Sequence, residues 1–455
     1  MTHTLMHVKD STAEYYVGKY QFRTPIDYKK SDIGIIPADW EVDSLRAVIR
    51  DLKAGVSVKS ICGDIDSLAN ESPAVLKTSC VQAGRFFPLE AKLIASKDLG
   101  RATTTPYADS ILISRMNTIS LVGESGYIVQ DYPALYVPDR LWMTYIKSDV
   151  RLCVRWLSYV LSSDAYRIYL KSIATGTSGS MKNIAKKGFL DLRVAFPSYS
   201  EQCAISEALA DVDGLLEALD RLIAKKRAIK KAAMQQLLTG ETRLPGFDDD
   251  WYEIVLGDLG HWRGGLTPSM SKADYWLNGN LPWLTSSDIR QGYIGSVSGK
   301  ITQVALSQTT VPVMPAGSII VVIRSGILRR FFPVAKIEQP KAINQDLRAL
   351  APGPSHDPEY LKQALTYAQD ELLQKCMKAG TTVESIDSHW FKKFSLKLPG
   401  LPEQRKISQL LSDMESEIAG LEKRRDKTQE LKKGMMQQLL TGRTRLIKSD
   451  APVAL

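Results

Sequence analysis

The stretch of this chain that most resembles a chemical site is glycine-rich and ends near a lysine. Residues 295–301 read Gly-Ser-Val-Ser-Gly-Lys-Ile. A phosphate-binding loop surrounds phosphate oxygens with backbone amides, and its lysine and a following serine or threonine hold the terminal phosphate and magnesium. Here the glycine spacing is one residue short, and Ile301 stands where serine or threonine is needed. The segment therefore does not predict a nucleotide site.

The other candidates for catalysis are no stronger. Glu90 and Lys92 supply the carboxylate and lysine of a nuclease, but no suitably placed Pro-Asp precedes them, and a surface charge pair explains them more simply. The five histidines are isolated and the five cysteines form no C-x-x-C pair, so no metal site is predicted. There is no Asn/Asp-Pro-Pro-aromatic motif of adenine methylation and no glycine-rich cofactor turn. We expect a protein that is not an enzyme and carries no cofactor or metal.

Composition bounds the class of protein. A chain of 455 residues is too long for one ordinary core, so two or more domains are expected. Scattered cysteines, no signal peptide and no apolar run long enough to cross a bilayer favour a cytoplasmic location. The net charge of +9 permits a polyanionic partner without requiring one.

A long segment of the chain occurs twice. Residues 197–244 align with 399–446 at a constant offset of 202, and 21 positions are identical. The strongest block, Met-Gln-Gln-Leu-Leu-Thr-Gly, occupies 234–240 and again 436–442. The chain should therefore consist of two similar halves with two related binding surfaces.

Each repeated segment has the pattern of a long helix. Apolar residues recur at alternating steps of four and three, which predicts one narrow apolar stripe, as in a coiled coil. The stripe comprises Ile205, Leu209, Val212, Leu216, Leu219 and Ile223 in the first copy, and Ile407, Leu411, Met414, Ile418 and Leu421 in the second. Gly240 and Gly442 stand where a helix ends in a left-handed cap. We expect two antiparallel paired rods of about 60 Å each; the alternative is two surface helices, each packed on its own domain.

Both predicted helices become basic in their second half. Residues 221–233 carry six cations without an acid, and residues 423–433 carry six cations against Asp426 and Glu430. Either this is the solvated flank of a coiled coil, or it faces a partner subunit or a phosphate backbone.

The segments ahead of the helices are mixed α/β. Strand-like runs occur at 111–113, 192–196 and 318–323, and helical patterns at 154–161 and 358–378. Weak echoes relate the two segments, such as Asp39-Trp40 with Asp250-Trp251. We divide the chain into an N-terminal extension (1–33), a first domain (34–196), a helix (197–243), a second domain (244–398), a second helix (399–443) and a tail (444–455).

In their order, these features resemble the specificity subunit of type I restriction-modification systems. The second half carries Gly264-Gly265-Leu266-Thr267-Pro268-Ser269, Tyr275-Trp276, Leu281 to Ile289, Ile323-Arg324-Ser325-Gly326 and Ile343-Asn344-Gln345-Asp346. The first half carries Ser114 to Thr118, Leu121-Val122-Gly123 and Pro138 to Trp142, and the helices open with Ser200-Glu201-Gln202 and Pro402-Glu403-Gln404. The resemblance extends from about Gly34 to Leu446.

The resemblance implies a fold and a function. Two similar target-recognition domains would each read half of a split DNA sequence, and two long antiparallel helices, related by a pseudo-two-fold repeat, would set the gap between them. Such a subunit has no catalysis of its own. Its partners are double-stranded DNA, two methyltransferase subunits, which use S-adenosylmethionine, and endonuclease/translocase subunits.

Reading base edges requires side chains that donate and accept hydrogen bonds. Our candidates in the first half are Lys77, Thr78, Ser79, Arg115, Asn117 and Ser180. In the second half they are Thr285, Ser286, Arg290, Arg324, Arg329 and Thr382. We expect phosphate contacts, which add affinity without sequence choice, from Lys182, Lys186, Lys187, Lys392 and Lys393.

Two other functions stay open from the sequence alone. A self-contained DNA-modifying enzyme would methylate or cut DNA as a purified chain. A coiled-coil adaptor that binds only proteins would not bind DNA in a way that depends on salt or on these arginines.

Overall fold

The computed structural model describes residues 14–17, 20–23, 27–64, 72–176, 181–290, 292–378 and 383–448. The chain divides into two compact units. The first comprises Met1–Ala218 with Arg425–Leu455, and the second comprises Leu219–Arg424.

The first unit is built mainly from two four-stranded sheets, in the orders β14-β12-β16-β6 and β15-β8-β11-β7. Its strands up to the first long helix are β1 (Glu14–Val17), β2 (Tyr20–Arg23), β3 (Tyr28–Ser31), β4 (Gly34–Pro37), β5 (Glu41–Ser44), β6 (Ile49–Ala54), β7 (Ser60–Asp64), β8 (Ala74–Leu76), β9 (Val81–Gln82), β10 (Arg85–Phe86), β11 (Ala91–Ile94), β12 (Ser110–Ser114), β13 (Met116–Asn117), β14 (Ser125–Ile128), β15 (Leu135–Tyr136), β16 (Leu141–Ile146), β17 (Lys182–Asn183) and β18 (Arg193–Phe196). Its short helices are α1 (Val154–Ser162), α2 (Asp164–Ser172) and α3 (Lys186–Leu190).

The second unit repeats this plan. Its sheets are ordered β20-β27-β24-β25 and β22-β21-β26-β23. The remaining elements are α4 (Tyr199–Thr239), β19 (Tyr252–Val255), β20 (Gly260–Gly264), β21 (Leu281–Leu284), β22 (Lys300–Ile301), α5 (Gln303–Gln308), β23 (Val313–Met314), β24 (Ile319–Val322), β25 (Val334–Lys336), β26 (Lys341–Ile343), β27 (Leu347–Pro352), α6 (Pro358–Tyr367), α7 (Gln369–Cys376), α8 (Ser388–Lys393), β28 (Ser395–Leu398), α9 (Leu401–Leu439) and β29 (Arg445–Lys448).

One sheet of each unit corresponds strand for strand, and the other corresponds only in part. The order β14-β12-β16-β6 matches β25-β24-β27-β20, and in each unit the second sheet contains a parallel pair, β15 with β8 and β26 with β21. The predicted internal repeat and mixed α/β class are confirmed.

Alternation along the central strands explains how each sheet is buried on both faces. In β12, Ile111 and Ile113 join one core cluster and Leu112 joins another. In β24, Ile319 and Val321 likewise separate from Ile320 and Val322. Successive side chains of a strand point to opposite faces, so an unbroken apolar run marks a strand covered on both sides.

Within each unit the two long helices run antiparallel. In the first unit the Lys432 ammonium lies 2.7 Å from the Asp213 carboxylate, so the end of α9 lies beside the beginning of α4. In the second unit the Lys226 ammonium lies 2.7 Å from the Glu417 carboxylate, which joins the other two ends. All the predicted stripe residues are buried or half-buried. The prediction of antiparallel paired helices is confirmed.

The basic stretch of α4 is partly neutralised within the second unit. Three of its cations bind acids of α9: Lys226 with Glu417, Arg227 with Glu422 and Lys230 with Glu415. For these three cations, the structure favours the coiled-coil flank over a phosphate contact.

Each unit fastens the end of one long helix to the beginning of the other. In the first unit, Arg445 donates two hydrogen bonds of 2.6 Å to Glu201, near the start of α4. In the second unit, Arg243 donates two hydrogen bonds of 2.9 and 2.8 Å to Glu403, near the start of α9. We call each arginine–glutamate pair, with the tryptophan under its guanidinium (Trp40 or Trp251), a clasp.

A glycine with positive φ follows each long helix, and in the first unit the clasp leaves no room for a side chain there. Gly240 and Gly442 have φ angles of +75° and +67°, as the predicted left-handed caps require. A Cβ atom on Gly442 would lie 2.4 Å from Pro37 Cγ and 3.1 Å from the Trp40 ring. Gly442 therefore allows the chain to turn tightly over the tryptophan.

The N-terminal extension and the tail, for which no structural role was predicted, meet in the first unit. Strand β2 pairs antiparallel with both β1 and β29, so Tyr20–Arg23 lies between Glu14–Val17 and Arg445–Lys448. Strand β29 begins at Arg445, so the N-terminal hairpin extends the sheet that contains this arginine.

Candidate nucleic-acid interface

Four separate segments of the second unit converge at one edge. Their common support is the turn at 344–346, which follows β26. The Asn344 amide donates to Leu284 O (2.9 Å) at the end of β21, and the amides of Ile323 and Arg324 donate to Asp346 O (2.9 and 3.3 Å) at the end of β24. Leu266, just beyond β20, donates to Ile343 O (3.0 Å). All four segments belong to the motifs that carried the family resemblance.

A glycine makes this convergence possible. A Cβ atom on Gly265 would lie 2.1 Å from Asn344 O, a backbone atom that cannot move aside. In the first unit, a Cβ atom on Gly55 would lie 1.5 Å from Val137 O. Both positions require glycine, because the backbone of one segment lies directly against the backbone of another segment of the same chain.

The first unit builds the same edge with different residues. The amides of Arg115 and Met116 donate to Arg140 O (3.1 and 3.4 Å), as Ile323 and Arg324 do to Asp346. The Ile184 amide donates to Arg115 O (2.9 Å), and in the second unit the Ile386 amide donates to Ile323 O (2.8 Å). Equivalent backbones thus present unlike side chains in the two units.

Three candidates of the first unit lie together at this edge. Asn117 and Lys182 are directly paired across β13 and β17. The Lys182 ammonium donates to Gly176 O (2.8 Å), and Asn117 donates to the Ser114 hydroxyl (3.1 Å). The Arg115 guanidinium lies over the Trp142 ring at 5.5 Å, a stacked arrangement that limits its freedom.

The other candidates of the first unit lie after a different strand. Lys77, Thr78 and Ser79 follow β8, and two of them contact Glu90. The Ser79 hydroxyl donates to the Glu90 carboxylate (2.7 Å), and the Lys77 ammonium lies 3.7 Å from it. Glu90, considered above for a nuclease, thus binds these two side chains. Ser180 lies outside the described residues.

The candidates of the second unit fall into the same two groups. Thr285 and Ser286 follow β21, and the Thr285 hydroxyl donates to Asp288 (2.8 Å), while Arg290 is exposed a little further on. Arg324 is exposed at the exit of β24 and pairs through its backbone with Ser385. Arg329 lies nearby, on a short 3₁₀ turn, Gly326–Arg329. Thr382 lies outside the described residues.

The expected phosphate contacts differ in their surroundings. Lys186 is bound to Asp51 (2.5 Å), which lowers the pKa of that carboxyl through the hydrogen bond from the lysine. Lys187, Lys392 and Lys393 are exposed, and the Lys393 ammonium lies 5.9 Å from the Trp390 ring centre.

Glu384, which was not among the predicted site residues, binds Arg329 at the edge of the second unit. The hydrogen bond from Arg329 lowers the pKa of the Glu384 carboxyl below its usual range. A signal was available: the repeat offset of 202 takes Lys182 to 384 (182 + 202), so an acid stands where the first unit has a base.

The segment at 295–301 has no phosphate-loop geometry. Gly295 donates to Asp288 O (2.8 Å), and the following residues extend without helix into β22. Among the residues that the structure describes, no three metal-binding side chains cluster, and no helix has the length and apolarity needed to cross a membrane.

Comparison with known proteins agrees with this architecture. A model of the Type I restriction modification DNA specificity domain matches residues 248–433. The EcoR124I/EcoR124II specificity subunit of Escherichia coli is 33% identical over 162 residues, which is 36% of this chain and 40% of that protein. The MjaIX specificity subunit of Methanocaldococcus jannaschii is 28% identical over 190 residues, 41% of this chain and 43% of that protein. This chain therefore spans less than half the length of either relative.

Longer matches are more distant. The putative MjaX specificity subunit of Methanocaldococcus jannaschii is 20% identical over 439 residues, 94% of this chain and 98% of that protein. Among solved structures, the S subunit of a type I restriction-modification system from M. genitalium covers 91% of this chain and 98% of its own, at 15% identity and a TM-score of 0.55. These matches show that the chain is similar to type I restriction-modification specificity subunits, and that residues 248–433 match their DNA specificity domain.

Proposed function

We propose that this protein recognises a bipartite DNA sequence, one half with each globular domain, and holds separate methyltransferase and endonuclease subunits on that sequence. The recognition domains are residues 34–196 and 244–398, and the helices 197–243 and 399–443 space them. The chain itself is non-catalytic, and it acts where the DNA is, in the cytoplasm.

One observation carries this proposal: the two units share a backbone frame and differ in the side chains at its edge. Arg115, Asn117 and Lys182 occupy the edge of the first unit, whereas Arg324, Arg329 and Glu384 occupy that of the second. Arginine and asparagine are side chains that read base edges in the major groove, whereas Lys182 is expected to contact a phosphate. Two domains that share a backbone frame but differ in the side chains at its edge are suited to a DNA target whose two halves differ in sequence.

The partner subunits are part of the same proposal. The relatives named above are specificity subunits of restriction enzymes, and a specificity subunit has a purpose only beside subunits that act on the DNA. The overall charge of +9 suits a DNA partner, and binding should weaken as salt rises because phosphate contacts release counterions.

Exchange of one domain tests the proposal. Residues 34–196 are replaced by the corresponding domain of a relative, and the chain is expressed with its modification subunits in a host that lacks other adenine methylation. Single-molecule sequencing then maps the methylated motif. We expect one half of the motif to change and the other half to remain as in the natural protein.

The matched control replaces residues 244–398 instead, which should change only the other half. A motif that survives both exchanges contradicts the division of labour. Incorporation of methyl groups by the purified chain alone contradicts the non-catalytic role.

A further inference from the structure

Arg329 and Glu384 form an ion pair of unusual asymmetry. The Arg329 side chain is 71% exposed, whereas that of Glu384 is only 15% exposed. The bond runs from the Arg329 Nε atom to the Glu384 carboxylate. An exposed arginine is thus anchored at its inner nitrogen by an acid that is itself largely shielded from solvent.

The backbone holds Glu384 in place. The Ser325 amide donates to Glu384 O (3.0 Å), Ser385 bridges Arg324, and the Ile386 amide donates to Ile323 O (2.8 Å). Glu384 therefore lies on a ladder joined to the exit of β24, the same strand exit that leads into the 3₁₀ turn of Arg329. Both partners are thus attached to the exit of β24.

The pairing leaves the outer nitrogens of the guanidinium available. In the part of the chain that the structure describes, neither Nη1 nor Nη2 of Arg329 has a hydrogen-bond partner. Two such donors match the O6 and N7 acceptors of guanine, the commonest specific contact in the major groove. A side chain already held by a carboxylate loses less conformational freedom when it binds.

The equivalent place in the first unit has different chemistry. Lys182 stands where Glu384 stands in the second unit, and its ammonium donates to a backbone carbonyl, Gly176 O. The anchored arginine thus distinguishes the second edge from the first.

We propose that Arg329 reads a guanine in the half-site bound by the second recognition domain, and that Glu384 is the residue that positions it. This inference rests on the proposed function and adds to it a base type, a reading residue and a positioning residue.

The experiment compares variants of the full chain, expressed with its modification subunits, by motif mapping and by competition binding to DNA with single base-pair changes. Arg329→Ala and Arg329→Lys should each lose about tenfold or more in discrimination at one G·C position, because neither keeps the bidentate contact. Glu384→Gln should lose several-fold at the same position. The double variant Arg329→Ala/Glu384→Gln should match Arg329→Ala, since the pair acts as one unit.

Two controls isolate the effect. Arg330→Ala removes the neighbouring exposed arginine, and Glu338→Gln makes the same charge change at an exposed acid that binds Lys336. Both should leave every base preference unchanged. Retention of the first half-site by all variants shows that the protein remains folded.

The outcomes separate the two levels of inference. If Glu384→Gln keeps full discrimination while Arg329→Ala loses it, Glu384 does not position the arginine. If Arg329→Ala keeps discrimination at every base pair, Arg329 reads nothing and the inference is overturned. If the natural protein yields no bipartite motif at all, the proposed function fails instead.

Discussion

The two clasps show how one frame can be reinforced differently in its two copies. In the first unit, Arg445 binds Glu201 and also donates two hydrogen bonds of 2.8 Å to Asp39, and the Trp40 indole donates to Glu201 (3.3 Å). In the second unit, Arg243 binds Glu403, but its further partner is a backbone carbonyl, Asp249 O (2.8 Å). The Trp251 indole N–H has no hydrogen-bond partner among the described residues.

The contacts between the long helices and the short helices α1 and α6 differ in the same way. In the first unit, the Tyr159 hydroxyl donates to Asp213 (2.8 Å) and the Lys432 ammonium lies 5.2 Å from the Tyr159 ring. Because Lys432 also pairs with Asp213, each of these three side chains contacts the other two. In the second unit, Gln363 occupies the equivalent position beside Lys230, in a groove of about 1030 Å³. The Gln363 Oε1 atom has no partner among the described residues. The first unit is thus the more completely satisfied copy, and the comparison predicts that it is the more stable one.

The largest difference is expected from removing the clasp arginines. Arg445→Ala leaves Glu201, which is 5% exposed, and Asp39 without their cation. Breaking a buried pair by removing one partner typically costs about 3–5 kcal/mol in the free energy of unfolding. Arg243→Ala leaves only Glu403 without its cation, so the loss in the free energy of unfolding should be smaller. Hydrogen exchange resolved by unit measures both losses.

The matched control for this prediction is Arg443→Ala, an exposed arginine two residues from Arg445. It should leave the free energy of unfolding nearly unchanged. The double variant Arg445→Ala/Glu201→Ala should recover part of the loss, because the stranded charge is gone. Equal losses for Arg445→Ala and Arg243→Ala would contradict the ranking of the two units.

Contacts between residues that are distant in the chain explain why the sequence predicts the helices and sheets better than the candidate interface. The four-and-three spacing of Ile205 and Leu209 and the glycines at 240 and 442 encode local geometry, so the paired helices and their caps were predictable. The strand runs at 111–113 and 318–323 were predictable because alternation and apolar runs are local too. The repeat then indicated that the two copies share one fold.

The site depends on contacts between residues distant in the chain. Gly265 lies over Asn344, and Arg329 binds Glu384, at separations that no periodicity encodes. Sequence patterns indicated polar residues at strand ends, but not that Lys77 and Ser79 engage Glu90, or that Asn117 pairs with Lys182. The pairing of β2 with β29 was likewise invisible, because it joins residues near the two ends of the chain.

A variant of intermediate expected effect exchanges the equivalent residues, Tyr159 and Gln363, that lie beside the paired long helices. Tyr159→Gln gives the first unit the residue of the second, and it removes both the hydrogen bond to Asp213 and the ring beside Lys432. We expect a loss of about 2 kcal/mol, since a hydrogen bond to a charged group contributes about 1.5–3 kcal/mol. Gln363→Tyr, the reverse exchange, should be tolerated because the groove has room for the larger ring. Urea unfolding of the full chain measures both, and a larger loss for Gln363→Tyr would contradict the comparison.

The smallest expected difference concerns acid. The hydrogen bond from Arg445 lowers the pKa of the Asp39 carboxyl below its usual range. A carboxyl whose pKa is lower in the folded than in the unfolded state stabilises the fold above its unfolded pKa, and this contribution is lost as pH falls through the folded value. Asp39 is largely exposed, so the contribution is screened and should be below about 1 kcal/mol. Asp39→Asn should therefore destabilise the first unit slightly at pH 7, and the difference from the natural protein should begin to shrink as the pH falls to about 4 and vanish below the folded pKa.

Asp249→Asn is the matched variant in the second unit, because it keeps the backbone carbonyl that binds Arg243 and changes only the side chain. Hydrogen exchange at pH 7 and at acid pH should show a pH-dependent effect for Asp39→Asn in the first unit and none for Asp249→Asn in the second. An effect of Asp39→Asn that is the same at both pH values would mean that the carboxylate charge does not strengthen the clasp. The second carboxylate on Arg445 would then serve only to shape the turn after α9, and the two clasps would be electrostatically equivalent.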